Sequence, residues 1–199
     1  HSVYLIADEI MTGLGRTGHA LACEHAQVKP DFICLSKGLT SGWLPMSAVL
    51  THSNIYDLFY DDYSTGKSFL HSHTFSGNAL AAAVALECLK ILEDEKIFQQ
   101  VREKEIILKK FMQEVSDKTQ RLTNIRGIGA IIAADLQLTE KEKNQRMGYQ
   151  IFQQALKLGA WLRPLGNTIY WLPPLNTSLP VLEELKDIST LAIKQVLTR

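Results

Sequence analysis

The stretch Phe32-Ile33-Cys34-Leu35-Ser36-Lys37-Gly38-Leu39-Thr40-Ser41-Gly42 indicates how this sequence folds and where its chemistry lies. Its apolar run, residues 32–35, is typical of a buried strand and is followed closely by Lys37. Burial favours the neutral, nucleophilic form of a lysine amine, which covalent catalysis through a Schiff base requires. The simpler interpretation is a strand that reaches the surface with Lys37 solvated, because charged residues are mostly exposed.

Two further apolar runs predict neighbouring strands, at residues 3–7 and 45–51. The first ends at Asp8-Glu9 and is typical of a strand buried on both faces of a parallel sheet. Functional groups of open α/β sheets collect at the carboxyl edge, so Asp8 and Lys37 are expected to face one crevice. The pair could be a structural ion pair. Alternatively, Asp8 could protonate the ring nitrogen of pyridoxal phosphate while Lys37 links to the cofactor covalently.

The remaining pattern divides the chain into an α/β part, residues 1–94, and a separate α+β part, residues 95–199. Helices are predicted over residues 21–26, 54–59, 77–94, 95–117, 141–158 and 179–197, with an exposed loop over 61–72. Strands are predicted over residues 121–126, 130–136, 161–163 and 168–172, the last two joined by a turn. The alanine-rich helix 77–94 is expected to pack closely against a sheet or another helix.

Composition excludes several classes of function. The chain has 21 basic and 21 acidic residues among 199, so no net positive field attracts nucleic acid or a membrane surface. No apolar run is long enough to span a bilayer. Three cysteines without CxxC spacing fit a reducing, cytoplasmic setting. The first residues lack the features of a signal peptide and open directly on a strand-like run, which predicts a piece of a longer protein.

Two phosphate-binding motifs are matched only in part. Gly13-Leu14-Gly15-Arg16-Thr17-Gly18 fits G-x-G-x-x-G, but it does not start at the strand end or open a long helix. Asp31 follows too early for the acid of a dinucleotide site. Gly66-Lys67-Ser68 resembles the end of a Walker motif, yet Asp61 occupies the position of its first glycine. Neither motif predicts a nucleotide site.

A metal site would have to combine Cys23 and His25 with His71 and His73. Their spacing is not that of a zinc finger, and the sequence gives no reason to bring the two pairs together. His71 and His73 are therefore interpreted as loop histidines near a pocket.

A long set of segments resembles the signature of the class III (subgroup II) aminotransferases. They read Leu5-Ile6-Ala7-Asp8-Glu9-Ile10-Met11-Thr12-Gly13-Leu14-Gly15-Arg16-Thr17-Gly18, Cys23-Glu24-His25, Pro30-Asp31 and Leu35-Ser36-Lys37-Gly38-Leu39-Thr40-Ser41-Gly42. The 29-position interval between Asp8 and Lys37 also agrees with that family. The resemblance implies a fold-type I transferase dependent on pyridoxal phosphate. The chain would supply the second half of the large, mostly parallel-sheet domain and a small C-terminal α+β domain.

The resemblance also assigns the cofactor site. Lys37 would be the catalytic lysine that links to pyridoxal phosphate, and Asp8 would hold the ring nitrogen protonated. The segment His73-Thr74-Phe75-Ser76-Gly77-Asn78-Ala79-Leu80 is similar to one whose threonine reaches the cofactor phosphate of the partner subunit in a homodimer. Thr74 would have that role, although a threonine before a helix is also an ordinary flanking residue.

Residues 161–175 are most similar to the family members that act in biotin synthesis. The resemblance assigns Arg163 to the carboxylate of a keto-amino acid, and a guanidinium offers a bidentate fork for that group. Tyr170 would line the same pocket, or it is a packed strand aromatic. Arg16, in the loop of the signature segment that covers residues 9–18 (the signature loop), would contact substrate. The resemblance also assigns Ser72 to the substrate pocket. Ser72-His73 stands where the family members that act in biotin synthesis commonly have a glycine-proline pair.

Several alternatives remain within the resemblance. Other class III enzymes act on ornithine, acetylornithine, 4-aminobutyrate or β-alanine, and the same fold supports aminomutases and decarboxylases. An inactive fragment or a regulator without turnover is the non-enzymatic alternative. The family's turn that binds phosphate and its aromatic that stacks on the cofactor ring are expected outside this chain.

Overall fold

A computed structural model describes residues 3–197. The chain forms two compact units. Unit 1 contains residues 3–15 and 19–96, and unit 2 contains residues 16–18 and 97–197. The predicted domains also include residues 1–2 and 198–199, which lie outside the described residues.

Unit 1 is built on a three-stranded sheet of order β1-β2-β3. Its strands are β1 (Ile6–Asp8), β2 (Phe32–Leu35) and β3 (Ala48–Thr51), and its helices are α1 (Ser53–Tyr56) and α2 (Ala79–Asp94). Short 3-10 helices cover Ala22–Ala26, Lys37–Leu39 and Tyr63–Thr65. β1 runs parallel to β2, whereas β3 runs antiparallel to it. The described part of the sheet is therefore mixed.

The prediction that residues 3–7 are buried on both faces is wrong for the described chain. Tyr4 and Ile6 are 62% and 63% exposed, and the regular strand begins only at Ile6. β1 lies at the edge of the sheet, and apolar periodicity does not reveal whether a second layer covers a strand. The alanine-rich helix is likewise buried only along a stripe, at Ala81, Ala85 and Cys88.

Unit 2 packs helices against an antiparallel sheet of order β4-β5-β6. Its elements are α3 (Ile97–Thr119), β4 (Leu122–Ile128), β5 (Ile131–Leu136), α4 (Glu140–Lys143), α5 (Met147–Lys157), β6 (Thr168–Trp171) and α6 (Leu179–Leu197). The single helix predicted over 141–158 is divided, because Arg146 adopts a left-handed φ of 53°. Residues 161–163 do not form the predicted strand, and β6 pairs with β5 instead.

The core of unit 2 follows the alternation of its sheet. Ile132 and Ala134 of β5 are fully buried, and their neighbours along the strand are less so. Trp171 of β6 is also buried, and its Nε1 donates to Ser189 Oγ of α6 at 3.0 Å. This bond satisfies the polar atom that a buried tryptophan brings into a core. Among residues 3–197, no helix has the length and apolar character needed to cross a membrane.

Candidate active site

Asp8 stands at the carboxyl end of β1, directly opposite Cys34 of the parallel neighbour β2. The backbone N–H of Glu9 donates to the Cys34 carbonyl at 3.0 Å, which extends the pairing past the end of the strand. Asp8 Oδ1 accepts the Ile10 N–H at 3.0 Å. The carboxylate is thus held by its own turn, yet it remains exposed and accessible to a ligand.

Lys37 follows β2 three residues beyond the partner of Asp8. Ser36 Oγ donates to the Met46 carbonyl at 2.8 Å, which ties the strand end to the segment leading into β3. Lys37 then opens a 3-10 turn that buries Leu39 and leaves the lysine side chain exposed. The parallel pairing brings the ends of β1 and β2 together, so both groups belong to one edge of the sheet.

Glycines allow the signature loop to pack beneath these strand ends. A Cβ at Gly38 would lie 3.2 Å from Leu14 Cβ, closer than most side chains tolerate. A Cβ at Gly13 would lie 2.9 Å from the Glu9 carbonyl oxygen and 3.1 Å from Leu35 Cδ2. Gly13, the first glycine of the partial G-x-G-x-x-G match, therefore serves close packing in this loop.

Glu9 organises this loop, a role that the sequence interpretation missed. Its side chain is buried and accepts hydrogen bonds from Thr12 Oγ1 at 2.5 Å and from the Cys23 N–H at 2.7 Å. Burial alone would raise the pKa of Glu9, but the hydrogen bonds from Thr12, Cys23 and Ala22 outweigh it and the pKa is lowered. An acid directly after a strand, followed by a hydroxyl at the third position, was the available signal.

Thr74 lies in a turn that precedes α2. The Phe75 N–H donates to His73 Nδ1 at 3.1 Å, and Asn78 caps α2 by accepting the N–H groups of its first turn. Ser72 and Thr74 are both exposed. A cavity of about 620 Å³ is lined by Ser36 on one side and by His73 and Phe75 on the other. The immediate neighbours of Lys37 and Thr74 therefore share one cavity of unit 1.

Arg16 is held by backbone groups of unit 2. Its Nη1 donates to the carbonyls of Pro173, at 2.6 Å, and Ala130, at 3.3 Å. The Ala130 N–H in turn donates to the Arg16 carbonyl at 2.9 Å. Burial lowers the pKa of Arg16. The guanidinium is thus bound to backbone carbonyls of its own unit, and the contact with substrate stays a prediction.

Arg163 and Tyr170 line two different cavities of unit 2, although the sequence predicted one pocket for both. Arg163 lines a cavity of about 500 Å³ and Tyr170 one of about 360 Å³. Trp161 and Leu162 line both cavities. The physical reason is local: Arg163 lies in an irregular segment, whereas Tyr170 is fixed by the pairing of β6 with β5.

The histidines do not form a metal site in the part of the chain that the structure describes. There, no group of three or more histidine, cysteine, aspartate or glutamate side chains could hold an ion. His25 packs edge to face with His19 at 4.4 Å between ring centroids, and His19 Nδ1 lies 3.5 Å from a Glu24 carboxylate oxygen. His73 instead supports the turn around Thr74.

Comparisons with known proteins place this geometry in a family. A model of the family described as aminotransferase class-III matches residues 1–195. The adenosylmethionine-8-amino-7-oxononanoate aminotransferase of Helicobacter pylori is 42% identical over 176 residues, which are 87% of this chain and 40% of that protein. The protein of the same name from Aquifex aeolicus is 33% identical, and the match covers 98% of this chain and 44% of that protein.

Solved structures agree with the sequence relatives. The crystal structure of the Methanocaldococcus jannaschii adenosylmethionine-8-amino-7-oxononanoate aminotransferase superposes with a TM-score of 0.88 at 33% identity. It covers 98% of this chain, and the match covers 46% of that chain. An acetylornithine aminotransferase from Elizabethkingia anophelis gives a TM-score of 0.85 at 32% identity, over 98% of this chain and 49% of its own.

The chain thus spans less than half the length of the relatives and structures it matches. The match nevertheless runs through nearly all of its residues. The resemblance predicted from the signature segments is confirmed, and the chain belongs to the class III aminotransferases.

Proposed function

We propose that this chain is the C-terminal part of an enzyme that transfers an amino group to 8-amino-7-oxononanoate in biotin synthesis. The product is 7,8-diaminononanoate, the donor S-adenosylmethionine and the cofactor pyridoxal 5'-phosphate. The proposal is supported chiefly by the placement of Asp8 and Lys37 at neighbouring parallel strand ends. The names of the similar proteins support the substrate. A second candidate is transamination of ornithine or acetylornithine, since enzymes so named are also structurally similar.

The residues present fit the cofactor. Pyridoxal phosphate requires an accessible amine for its aldehyde and an acid for its ring nitrogen. Lys37 is exposed, and Asp8 is fixed by the Ile10 N–H with its carboxylate accessible. Thr74 offers a hydroxyl donor for a phosphate group. These three side chains would hold the covalent link, the ring and part of the phosphate.

Each residue then has a defined task. When bound, pyridoxal phosphate supplies an electron sink for the carbanion at the substrate carbon. The Lys37 amine would act first as a general base and then as a general acid, so that a proton moves through its Nζ. Asp8 holds a proton at the ring nitrogen. Arg163 binds the carboxylate of the keto-amino acid through its guanidinium fork.

Other properties of the whole protein belong to the same proposal. Residues 1–94 would form the C-terminal part of the cofactor-binding domain and residues 95–199 the small domain. Tyr170, Ser72 and Arg16 would provide further substrate contacts. The protein would be a homodimer, with Thr74 of one subunit reaching the cofactor phosphate of the other. The unpaired state of its three cysteines is consistent with a reducing cytoplasm.

Covalent attachment of the cofactor is the first test. Borohydride reduction of the intact protein with pyridoxal phosphate should leave a pyridoxyl group on the peptide that contains Lys37, located by mass spectrometry. Lys37→Ala should lose both the label and amino transfer, because no other amine occupies that position. Lys29→Ala, which removes an exposed lysine before β2, is the matched control. Labelling elsewhere, or transfer at the unaltered rate by Lys37→Ala, would contradict the mechanism.

The amino donor is tested separately. The absorption of the lysine-linked cofactor should disappear when S-adenosylmethionine is added to the intact enzyme, and reappear with 8-amino-7-oxononanoate. Lysine and ornithine are the comparison donors. Loss of absorption with ornithine alone would favour the second candidate, and no cofactor absorption at all would favour a protein without turnover.

A further inference from the structure

Arg16 is anchored by two backbone groups of one residue, Ala130. The Ala130 N–H donates to the Arg16 carbonyl at 2.9 Å, and Arg16 Nη1 donates to the Ala130 carbonyl at 3.3 Å. Nη1 also donates to the Pro173 carbonyl at 2.6 Å. Both side-chain bonds use Nη1, so the edge of the guanidinium formed by Nε and Nη2 takes no part in them. That edge is a planar pair of donors, which suits a carboxylate. The position of Ala130 therefore affects where this edge lies.

Glu105 of α3 binds the residue that precedes Ala130. The Gly129 N–H donates to Glu105 Oε2 at 2.6 Å, and the Glu105 side chain is 23% exposed. A hydrogen bond to a carboxylate is stronger than one between neutral groups. The other oxygen, Oε1, accepts from Lys109 Nζ one turn further along the helix. The two oxygens of Glu105 thus have separate partners: the turn between β4 and β5, and a more exposed lysine.

The turn between β4 and β5 lies directly against the main chain of Arg16. A Cβ at Gly129 would be only 2.5 Å from the Arg16 carbonyl oxygen, the same atom that accepts the Ala130 N–H. A shift of this turn would therefore displace the backbone of Arg16 or break its bond to Ala130. Because Glu105 supplies the acceptor for the Gly129 N–H, it holds the turn at this contact.

A second side chain of α3 binds the other end of the same segment. Arg102 Nη1 donates to the Gly18 carbonyl at 2.6 Å, and a Cβ at Gly18 would lie 2.8 Å from Arg102 Cγ. Arg102 and Glu105 are three positions apart in the helix, so they share one face of α3. One face of this helix thus binds both residues 16–18 and the turn beside them.

We propose that Glu105 is a positioning residue for the guanidinium of Arg16. Its bond to the Gly129 N–H holds the turn between β4 and β5. Through that turn, Ala130 fixes both the carbonyl and the guanidinium of Arg16. The contact of Arg16 with a substrate carboxylate rests on the proposed function, whereas its positioning by Glu105 does not.

Hydrogen exchange of the intact protein tests the positioning without any reaction. Glu105→Leu removes the acceptor, so exchange at the Ala130 amide should become about tenfold faster, as expected when a hydrogen bond to a charged group is lost. Glu105→Gln keeps an oxygen acceptor without the charge, so exchange should be about threefold faster. This variant tests the bond even if Glu105→Leu does not fold. Lys109→Met is the matched control: it removes the ion pair of Glu105 but not the acceptor, and should change exchange less than about twofold.

A double-mutant cycle tests whether Glu105 acts on the reaction through Arg16. Steady-state kinetics with S-adenosylmethionine and 8-amino-7-oxononanoate gives a KM for each substrate. Arg16→Met should raise the KM of the substrate whose carboxylate it binds about tenfold, and Glu105→Leu should raise the same KM about threefold or more. In Glu105→Leu, kcat should change less than about twofold, since a binding group is displaced and not a reacting one. Added to Arg16→Met, Glu105→Leu should raise the KM less than about twofold further, because its effect requires the guanidinium.

Three results would overturn the proposal: unchanged exchange at Ala130 in both Glu105 variants, equal acceleration by Lys109→Met, or KM effects that multiply fully in the double variant. The first two are independent of the proposed reaction. If exchange responds as expected but 8-amino-7-oxononanoate is not aminated, the proposed function fails and the positioning of Arg16 stands. If amination proceeds while exchange at Ala130 does not respond, only the positioning by Glu105 is wrong.

Discussion

The sheets of the two units differ in how much of their apolar surface is covered. In unit 2, Ile132 and Trp171 of the central sheet are 0% and 1% exposed, since helices cover the apolar face. In unit 1, Val49 of β3 is 65% exposed and Ile6 of β1 is 63% exposed. The residues of both sheets are similarly apolar. The difference therefore lies in what covers the strands, and unit 2 provides its own cover.

The predicted cofactor residues and the larger hydrophobic core lie in different units. The predicted cofactor residues Asp8 and Lys37 lie in unit 1, whose core among the described residues is the small cluster of Leu14, Leu35, Leu39 and Ala85. The fold of unit 2 rests on a larger core, and its residues are predicted to select the substrate. Because burial of apolar surface is the dominant favourable term in folding, the two units should respond very differently to the same perturbation.

Separating the units should have the largest effect. The polypeptide 97–199 should fold cooperatively with a free energy of unfolding of about 5 kcal/mol, as is typical of a small domain with its own core. The polypeptide 1–96 should remain unfolded or aggregate, since its sheet leaves apolar faces exposed. Amide proton dispersion in NMR spectra measures both. A well-dispersed spectrum of 1–96 would contradict the contrast.

Matched truncations should give the next largest difference. Ile132→Ala in β5 should lower the free energy of unfolding by about 2–5 kcal/mol, because it leaves a cavity in a closed core. Ile6→Ala in β1 removes the same atoms from an exposed position and should change it by less than about 0.5 kcal/mol. Urea unfolding of the whole chain, followed by far-ultraviolet circular dichroism, measures both. Similar losses would mean that β1 is covered in solution.

Glycines should show the same contrast on a smaller scale. Gly129 has a φ of 55°, and a Cβ there would lie 2.5 Å from the Arg16 carbonyl oxygen and from Thr17 Cα. Gly129→Ala should therefore cost about 2 kcal/mol or more, from backbone strain and overpacking. Gly66→Ala in unit 1 has a similar φ of 66° with open space around it, so strain alone should cost about 1 kcal/mol.

Thermal unfolding with hydrogen exchange at Ala130 checks the Gly129 prediction. This amide donates to the Arg16 carbonyl, so its protection should fall in Gly129→Ala if the signature loop is displaced. Protection that is unchanged in Gly129→Ala would show that the loop moves with Gly129 and that the close approach has little effect on stability.

Local patterns allowed much of this fold to be predicted. The last helix, Leu179–Leu197, and the strand Phe32–Leu35 have the predicted bounds, because each combines a clear period with a clear stop signal. The strand predicted at 161–163 is absent, since its partner was chosen by sequence proximity and β6 pairs with β5 instead. Strand pairing and the covering of a sheet depend on residues that are far apart in the sequence. Hydrophobic periodicity carries no information about them.

The candidate site was predictable where chemistry follows a strand end. Asp8 and Lys37 follow from that rule and from the signature segments, and the structure puts their strands side by side. Glu9 was missed. The hydroxyl of Thr12 three positions later was a short-range signal for it, but the hydrogen bond from the Cys23 N–H forms only in the folded loop.

Acid should cause the smallest change in stability, through the carboxylate of Asp135 in unit 2. Arg126, Thr168 and Asn124 donate to Asp135 and lower its pKa from 3.8 to about 2. A carboxylate with a lowered pKa stabilises the fold above its unfolded pKa, and this contribution is lost as the pH falls through 3.8 towards about 2. The side chain is about a third exposed, so solvent screening limits the loss to about 1 kcal/mol.

Asp135→Asn should therefore make the stability of the polypeptide 97–199 less dependent on pH in that window. Asp117→Asn is the matched control, since Asp117 accepts a hydrogen bond from Gln113 but forms no ion pair among the described residues. Urea midpoints at the two ends of the window measure the effect. An equal dependence on pH in all three proteins would mean that the network around Asp135 is already broken in solution, because the carboxylate would then titrate alike in both states.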